Sequence, residues 1–67
     1  MLTYKPRKMS EKDATIIIER RHPYGLFFLK EGNVYVGIDN RDGDARTEEF
    51  PTKRKCLKWL TDAAYEI

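Results

Sequence analysis

Few groups in these 67 residues can do chemistry: one histidine, one cysteine, and clusters of carboxylates and cations. His22 is alone, which excludes a multi-histidine zinc site, and it precedes Pro23 in a turn, where an imidazole is more often a surface group than a general base. Cys56 would be nucleophilic only as an exposed thiolate beside a cation. Its helical phase instead points it at the core, where cysteine behaves as a small hydrophobe. Glu48 and Glu49 are adjacent, but neighbours on a strand point to opposite faces and cannot act together on one bond. Asn40, Asp42, Gly43 and Glu49 fall at positions 3, 5, 6 and 12 of a calcium-binding loop. Ile38 stands at position 1, where the first carboxylate must be, and no helix precedes the turn, so a glycine-containing hairpin turn is the better reading. The sequence therefore predicts no catalytic residue, no metal site and no cofactor, and points to a binding protein.

Charge is the other chemical signal. The formal net charge is only +2, but its distribution is uneven. Lys5, Arg7 and Lys8 form a basic amino-terminal arm, and Lys53, Arg54, Lys55 and Lys58 form a second basic cluster. Between them Asp39, Asp42, Asp44, Glu48 and Glu49, offset only by Arg41 and Arg46, give the central turn and the strand after it a negative field. Arg20-Arg21-His22 is a smaller basic patch. Hydrophobic residues at 40% and charged residues at 36% describe a folded, soluble chain. The runs Ile16-Ile17-Ile18 and Leu26-Phe27-Phe28-Leu29 fall far short of the roughly 20 residues that span a bilayer. No apolar stretch backs the cations of MLTYKPRKM as in a signal peptide, so a cytoplasmic location is expected. A lone cysteine fits a reducing compartment.

The elements that must position these charges are clearest between Asn33 and Leu60. Leu26 to Lys30 is an apolar run after the Pro23-Tyr24-Gly25 turn signal, and Glu31-Gly32-Asn33 closes it as a hairpin loop would. In the next strand Val34, Val36 and Ile38 alternate with Tyr35 and Gly37. The turn from Asp39 to Asp44 returns the chain as a third strand, about Ala45 to Phe50, which Pro51 stops. Thr52 sits where a helix N-cap belongs. From Lys53 onward a period of 100° per residue puts Cys56, Leu60, Ala63 and Ile67 on one stripe. Arg54, Lys58 and Tyr65 project from the other side. Ser10 to Arg21 carries two signals. Met9, Ser10 and Asp13 suggest a capped helix start, whereas Thr15-Ile16-Ile17-Ile18 is a β-branched run that suits a strand. The helix is preferred. Residues 1–9 read as a flexible basic arm and residues 10–67 as a single α+β domain. Its expected order is αβββα, with a three-stranded antiparallel sheet packed against the C-terminal helix through Val34, Val36, Ile38, Leu57, Leu60 and Ala64.

The order αβββα resembles a double-stranded-RNA-binding domain, and TKRKCLKWL resembles the basic start of that family's second helix, although that family's glycine-bearing approach to the helix is missing. Glu49 to Ala64 also resembles the last strand and helix of AP2-type and integrase arm-binding DNA modules. More generally, the wording GIDN…GDA…TEEF…T…CLKWL resembles small uncharacterised proteins of prophages and mobile elements in Gram-positive bacteria. That resemblance implies no set activity but admits compact inhibitors of host machinery. Two binding readings follow. A protein partner, favoured because acidic residues repel phosphate, would use Tyr35, Arg46, Glu48, Asp42 and Asp44. A nucleic-acid partner would use Lys5, Arg7, Lys8, Lys53, Arg54, Lys55 and Lys58. A monomer or a homodimer fits either, and no membrane partner is expected.

Overall fold

The structure is a computed structural model that describes the backbone of residues 5–65 and the side chains of residues 5–62. In chain order the elements are β1 (Arg7–Lys8), α1 (Glu11–Arg20), β2 (Gly25–Glu31), β3 (Val34–Asn40), β4 (Arg46–Phe50) and α2 (Lys53–Tyr65). The strands form one sheet in the order β1-β2-β3-β4. β2, β3 and β4 are antiparallel neighbours, and β1 lies parallel to β2. The fold is thus α+β, with two helices among the described residues. The expected three-stranded antiparallel sheet is corrected to a four-stranded mixed one, because Arg7–Lys8 in the expected arm pair with Phe27 and Phe28.

Local chemistry decides the ambiguous segment for helix. Ser10 accepts a hydrogen bond at Oγ from the Asp13 amide at 3.2 Å, and acidic Glu11 and Asp13 occupy the first turn, where the helix dipole favours them. At the other end Arg21 takes a left-handed conformation (φ 60°) and donates its amide to the Ile17 carbonyl. The β-branched run is tolerated because only Ile17 of it must pack; together with Ala14 it forms the buried stripe. Thr15 turns its hydroxyl back to the Glu11 carbonyl at 3.0 Å. A two-residue loop joins β2 to β3, and Gly32 (φ 62°) supplies the positive angle that such a hairpin requires.

A helix covers each face of the sheet. On one face Phe27, Leu29, Val36 and Ile38 pack with Ala14 and Ile17 of α1, and Met9 and Val34 lie against them. On the other, Leu26 and Phe28 pack with Cys56 and Leu60 of α2, bordered by Tyr35, Phe50, Leu57 and Trp59. This reverses the expected pairing: Val34, Val36 and Ile38 meet α1, and α2 meets the Tyr35–Gly37 face of β3. The physical reason is Gly37. A Cβ there would lie 3.1 Å from the Trp59 ring and 3.2 Å from Cys56 Sγ, so α2 seats directly on the sheet where a side chain is missing. Leu57 and Leu60 pack as expected, and the side chain of Ala64 lies outside the described residues. Thr52 caps α2, its Oγ1 accepting from the Lys55 amide at 3.2 Å.

Candidate functional site

The acidic turn between β3 and β4 is bound into the molecule. Asn40 is fully buried; its Nδ2 donates to the Pro23 carbonyl at 2.8 Å, and its Oδ1 accepts from the Ala45 amide at 3.1 Å. Arg21 reaches across from the end of α1, donating from Nη1 to the carbonyls of Gly43 (3.1 Å) and Asp44 (2.8 Å). The ring of Tyr24, stacked on His22 at 5.1 Å, lies beside Gly43. Asp39 is buried and receives Arg41 through both carboxylate oxygens, at 3.0 and 3.1 Å. Burial pushes the Asp39 carboxyl pKa up. The hydrogen bonds and charge of Arg41, with the charge of Arg46, outweigh that and hold it below its ordinary value. Two loops are thereby locked together by polar groups that bond to one another.

The residues expected to bind a protein are not assembled into one patch. Arg46 stands between Asp39 (3.7 Å) and Asp42 (3.6 Å), and the Asp44 amide donates to Asp42 Oδ1. Asp42 and Asp44 are exposed at this end of the sheet. Tyr35 is at the other end of β3, half-buried beside α2 and paired with Phe50. It lies four residue steps along the strand from Asp39, a distance of about 13 Å. Glu48 is exposed in the middle of β4, opposite Gly37. The clamp by Arg21 was not foreseen; its carbonyl partners are 22 and 23 residues away in sequence, and no local pattern marks it.

The groups considered for catalysis or metal binding are placed as follows. Cys56 is fully buried, and burial pushes its thiol pKa up, away from the thiolate. His22 is exposed and stacked on Tyr24. Among the described residues no group of three or more His, Cys, Asp or Glu is arranged to hold a metal ion. Both polar atoms of the Asn40 side chain are engaged, Oδ1 in closing the turn and Nδ2 in tying it to the Pro23 loop.

One residue of the amino-terminal cluster, by contrast, shares a face with the second cluster. Lys8 on β1 is in register with Phe28, which faces α2, and Lys53 in the first turn of α2 holds its Nζ 5.6 Å from the same Phe28 ring. Lys30, two residues along β2 on that face, has its Nζ 6.0 Å from the Tyr35 ring. Arg54, Lys55 and Lys58 are exposed on α2, and Lys5 is exposed before β1. Arg7 departs from the group: alternation turns it to the α1 face, with its guanidinium 6.0 Å from the Phe27 ring. Lys30 was missed, although the alternation of Phe28 with Lys30 carried the signal. Among the described residues no ion pair engages Lys8, Lys30, Lys53, Arg54 or Lys58.

Comparison of the chain with protein-family models, curated proteins and solved structures gives no match in any of the three. The functional reading rests on the geometry of the chain itself. No helix among the described residues is long and apolar enough to cross a membrane.

Proposed function

We propose that the protein is a non-catalytic nucleic-acid-binding module that holds a phosphate backbone along the face built by α2 and the β1–β2 edge. The observation that carries this reading is that Lys8, in register with Phe28, and Lys53, whose Nζ lies over the Phe28 ring, share one face, which brings cations 45 positions apart in sequence to the same surface. Lys30, Arg54 and Lys58 extend it along the strand and the outer side of the helix. Phosphates neutralised by such a surface release condensed counterions, which makes binding strong at low salt and indifferent to sequence.

Two further features support this reading. Lys53, Arg54 and Lys55 occupy the first turn of α2, where cations oppose the helix dipole. An anion bound beside them relieves that repulsion. The second concerns mode: Phe27 and Phe28 of β2 are buried under the helices, so among the described residues recognition on this face falls to the phosphate backbone and not to base stacking on these rings. The patch first expected to meet a protein is divided between two ends of the sheet, and Arg46 is engaged by Asp39 and Asp42.

Fluorescence anisotropy with labelled single- and double-stranded DNA and RNA of mixed sequence tests the proposal. Binding at micromolar protein in low salt is expected. The double variant Lys53→Glu, Lys58→Glu should weaken it at least tenfold while the protein stays folded. Absence of binding to all four probes would refute the reading.

A further inference from the structure

β4 is the outer strand of the sheet. It pairs with β3 on one side, and among the described residues no strand pairs with the other. Arg46, Thr47, Glu48 and Glu49 are exposed, and Phe50 is half-buried. Edge strands are commonly guarded by shortness, charged side chains, a proline, a bulge or a covering helix. β4 has charges, on Arg46, Glu48 and Glu49, but no proline and no bulge. Its register with β3 is unbroken from Tyr35↔Phe50 to Asp39↔Arg46, and Pro51 comes only after the strand. α2 packs against it through Trp59 on Phe50 at 5.6 Å, while Arg46, Thr47, Glu48 and Glu49 stay exposed.

The charges on this edge select the occupant. Glu48 shares the α2 side with Gly37, and Glu49 shares the α1 side with Val36. A second copy pairing antiparallel about the strand centre would set Glu48 against Glu48, an unfavourable like-charge pair. An incoming strand with two adjacent cations answers both glutamates at once, one on each face. β-Branched residues flanking the cations favour the extended conformation that strand addition needs.

We infer that β4 is a docking edge for an extended segment of another protein, in which two adjacent lysine or arginine residues are flanked by β-branched residues. The segment adds as a fifth strand: main-chain hydrogen bonds to the open side of β4 give affinity, and Glu48 and Glu49 set the charge pattern. This surface is separate from the basic face, so the inference does not depend on nucleic-acid binding.

The probe is an acetylated, amidated peptide Thr-Val-Arg-Lys-Val-Thr titrated into ¹⁵N-labelled protein. Amide shifts centred on residues 46–50, with slowed hydrogen exchange there, are expected. Affinity should fall at least tenfold in the Glu48→Lys, Glu49→Lys variant and at least tenfold for the peptide with alternate amides N-methylated. It should be unchanged in Lys53→Glu, Lys58→Glu. Three results would overturn the inference: no shifts at millimolar peptide, equal binding of the N-methylated peptide, or shifts that map to α2. A dimer in sedimentation, with hydrogen exchange at residues 46–50 already slowed in the absence of peptide, would overturn it too, by assigning the edge to a second copy.

Discussion

The turn between β3 and β4 and the basic face across α2 are both dense in charge, and they handle it in opposite ways. In the turn nearly every charged or polar group has an internal partner: Asn40 with Pro23 and Ala45, Arg21 with Gly43 and Asp44, Asp39 with Arg41 and Arg46. On the basic face the cations stand beside aromatic rings and project outward without ion pairs among the described residues. A polar cluster satisfied from within specifies the fold. One left unmatched is available to a partner. The most conspicuous chemical signal in the sequence, the acidic turn, therefore belongs to the architecture, and the less conspicuous lysines carry the proposed function.

Substitutions can break this contrast. The largest effect is expected at Asn40. Asn40→Ala removes two hydrogen bonds from a fully buried site and strands the Pro23 carbonyl and the Ala45 amide, so it should cost about 3 kcal/mol in urea unfolding. Nucleic-acid affinity per folded molecule should not change. A variant that stays stable but loses binding would move the turn from architecture to function.

A smaller effect, of defined sign, is expected at Asp39. Its folded pKa lies below its ordinary value, so the unfolded chain takes up a proton first as pH falls. The resulting stabilisation is fully present above the unfolded pKa and is lost as pH drops through the folded one, below about pH 4. Urea midpoints measured from pH 6 down to pH 2 should fall less steeply for Asp39→Asn than for the native chain over that acid range. An identical slope would mean that Asp39 is not the group held in the charged form.

The smallest effect runs the other way. Lys53→Glu replaces a cation with an anion in the first turn of α2 and should stabilise the fold by about 0.5 kcal/mol, as a slightly raised melting temperature, while weakening nucleic-acid binding. Opposite signs for stability and binding at one residue are the signature of a side chain kept for a partner.

Much of this architecture was legible locally. The Gly32 hairpin, the Thr52 cap and the Cys56 and Leu60 part of the α2 stripe each depend on residues within a few positions of one another and appear where the sequence put them. Asp39 and Asn40 of the expected turn instead extend β3, and the side chain of Ala63 and all of Ile67 lie outside the described residues. The reading failed where the determinant was non-local. The alternation in β3 correctly separated Val34, Val36 and Ile38 from Tyr35 and Gly37, but not which helix each set would meet. Leu26-Phe27-Phe28-Leu29 held the clue, since a continuous apolar run marks a strand buried on both faces. β1 left no trace because its two residues are cations, and only pairing with β2 makes them a strand. The face shared by Lys8 and Lys53 follows from that same pairing. Most residues of the proposed basic site, Lys30 excepted, could thus be named from the sequence, whereas their assembly, the departure of Arg7, and the dispersal of the set around Tyr35 could not.

The most direct test of the central claim is the salt dependence of nucleic-acid affinity, measured by anisotropy for the native chain and for Lys53→Glu, Lys58→Glu. With roughly four phosphate contacts, affinity should fall by roughly 100-fold between about 50 and 200 mM salt. The variant should bind more weakly with a clearly shallower slope. No binding by the native chain, or a slope that the two substitutions leave unchanged, would contradict the assignment of the basic face.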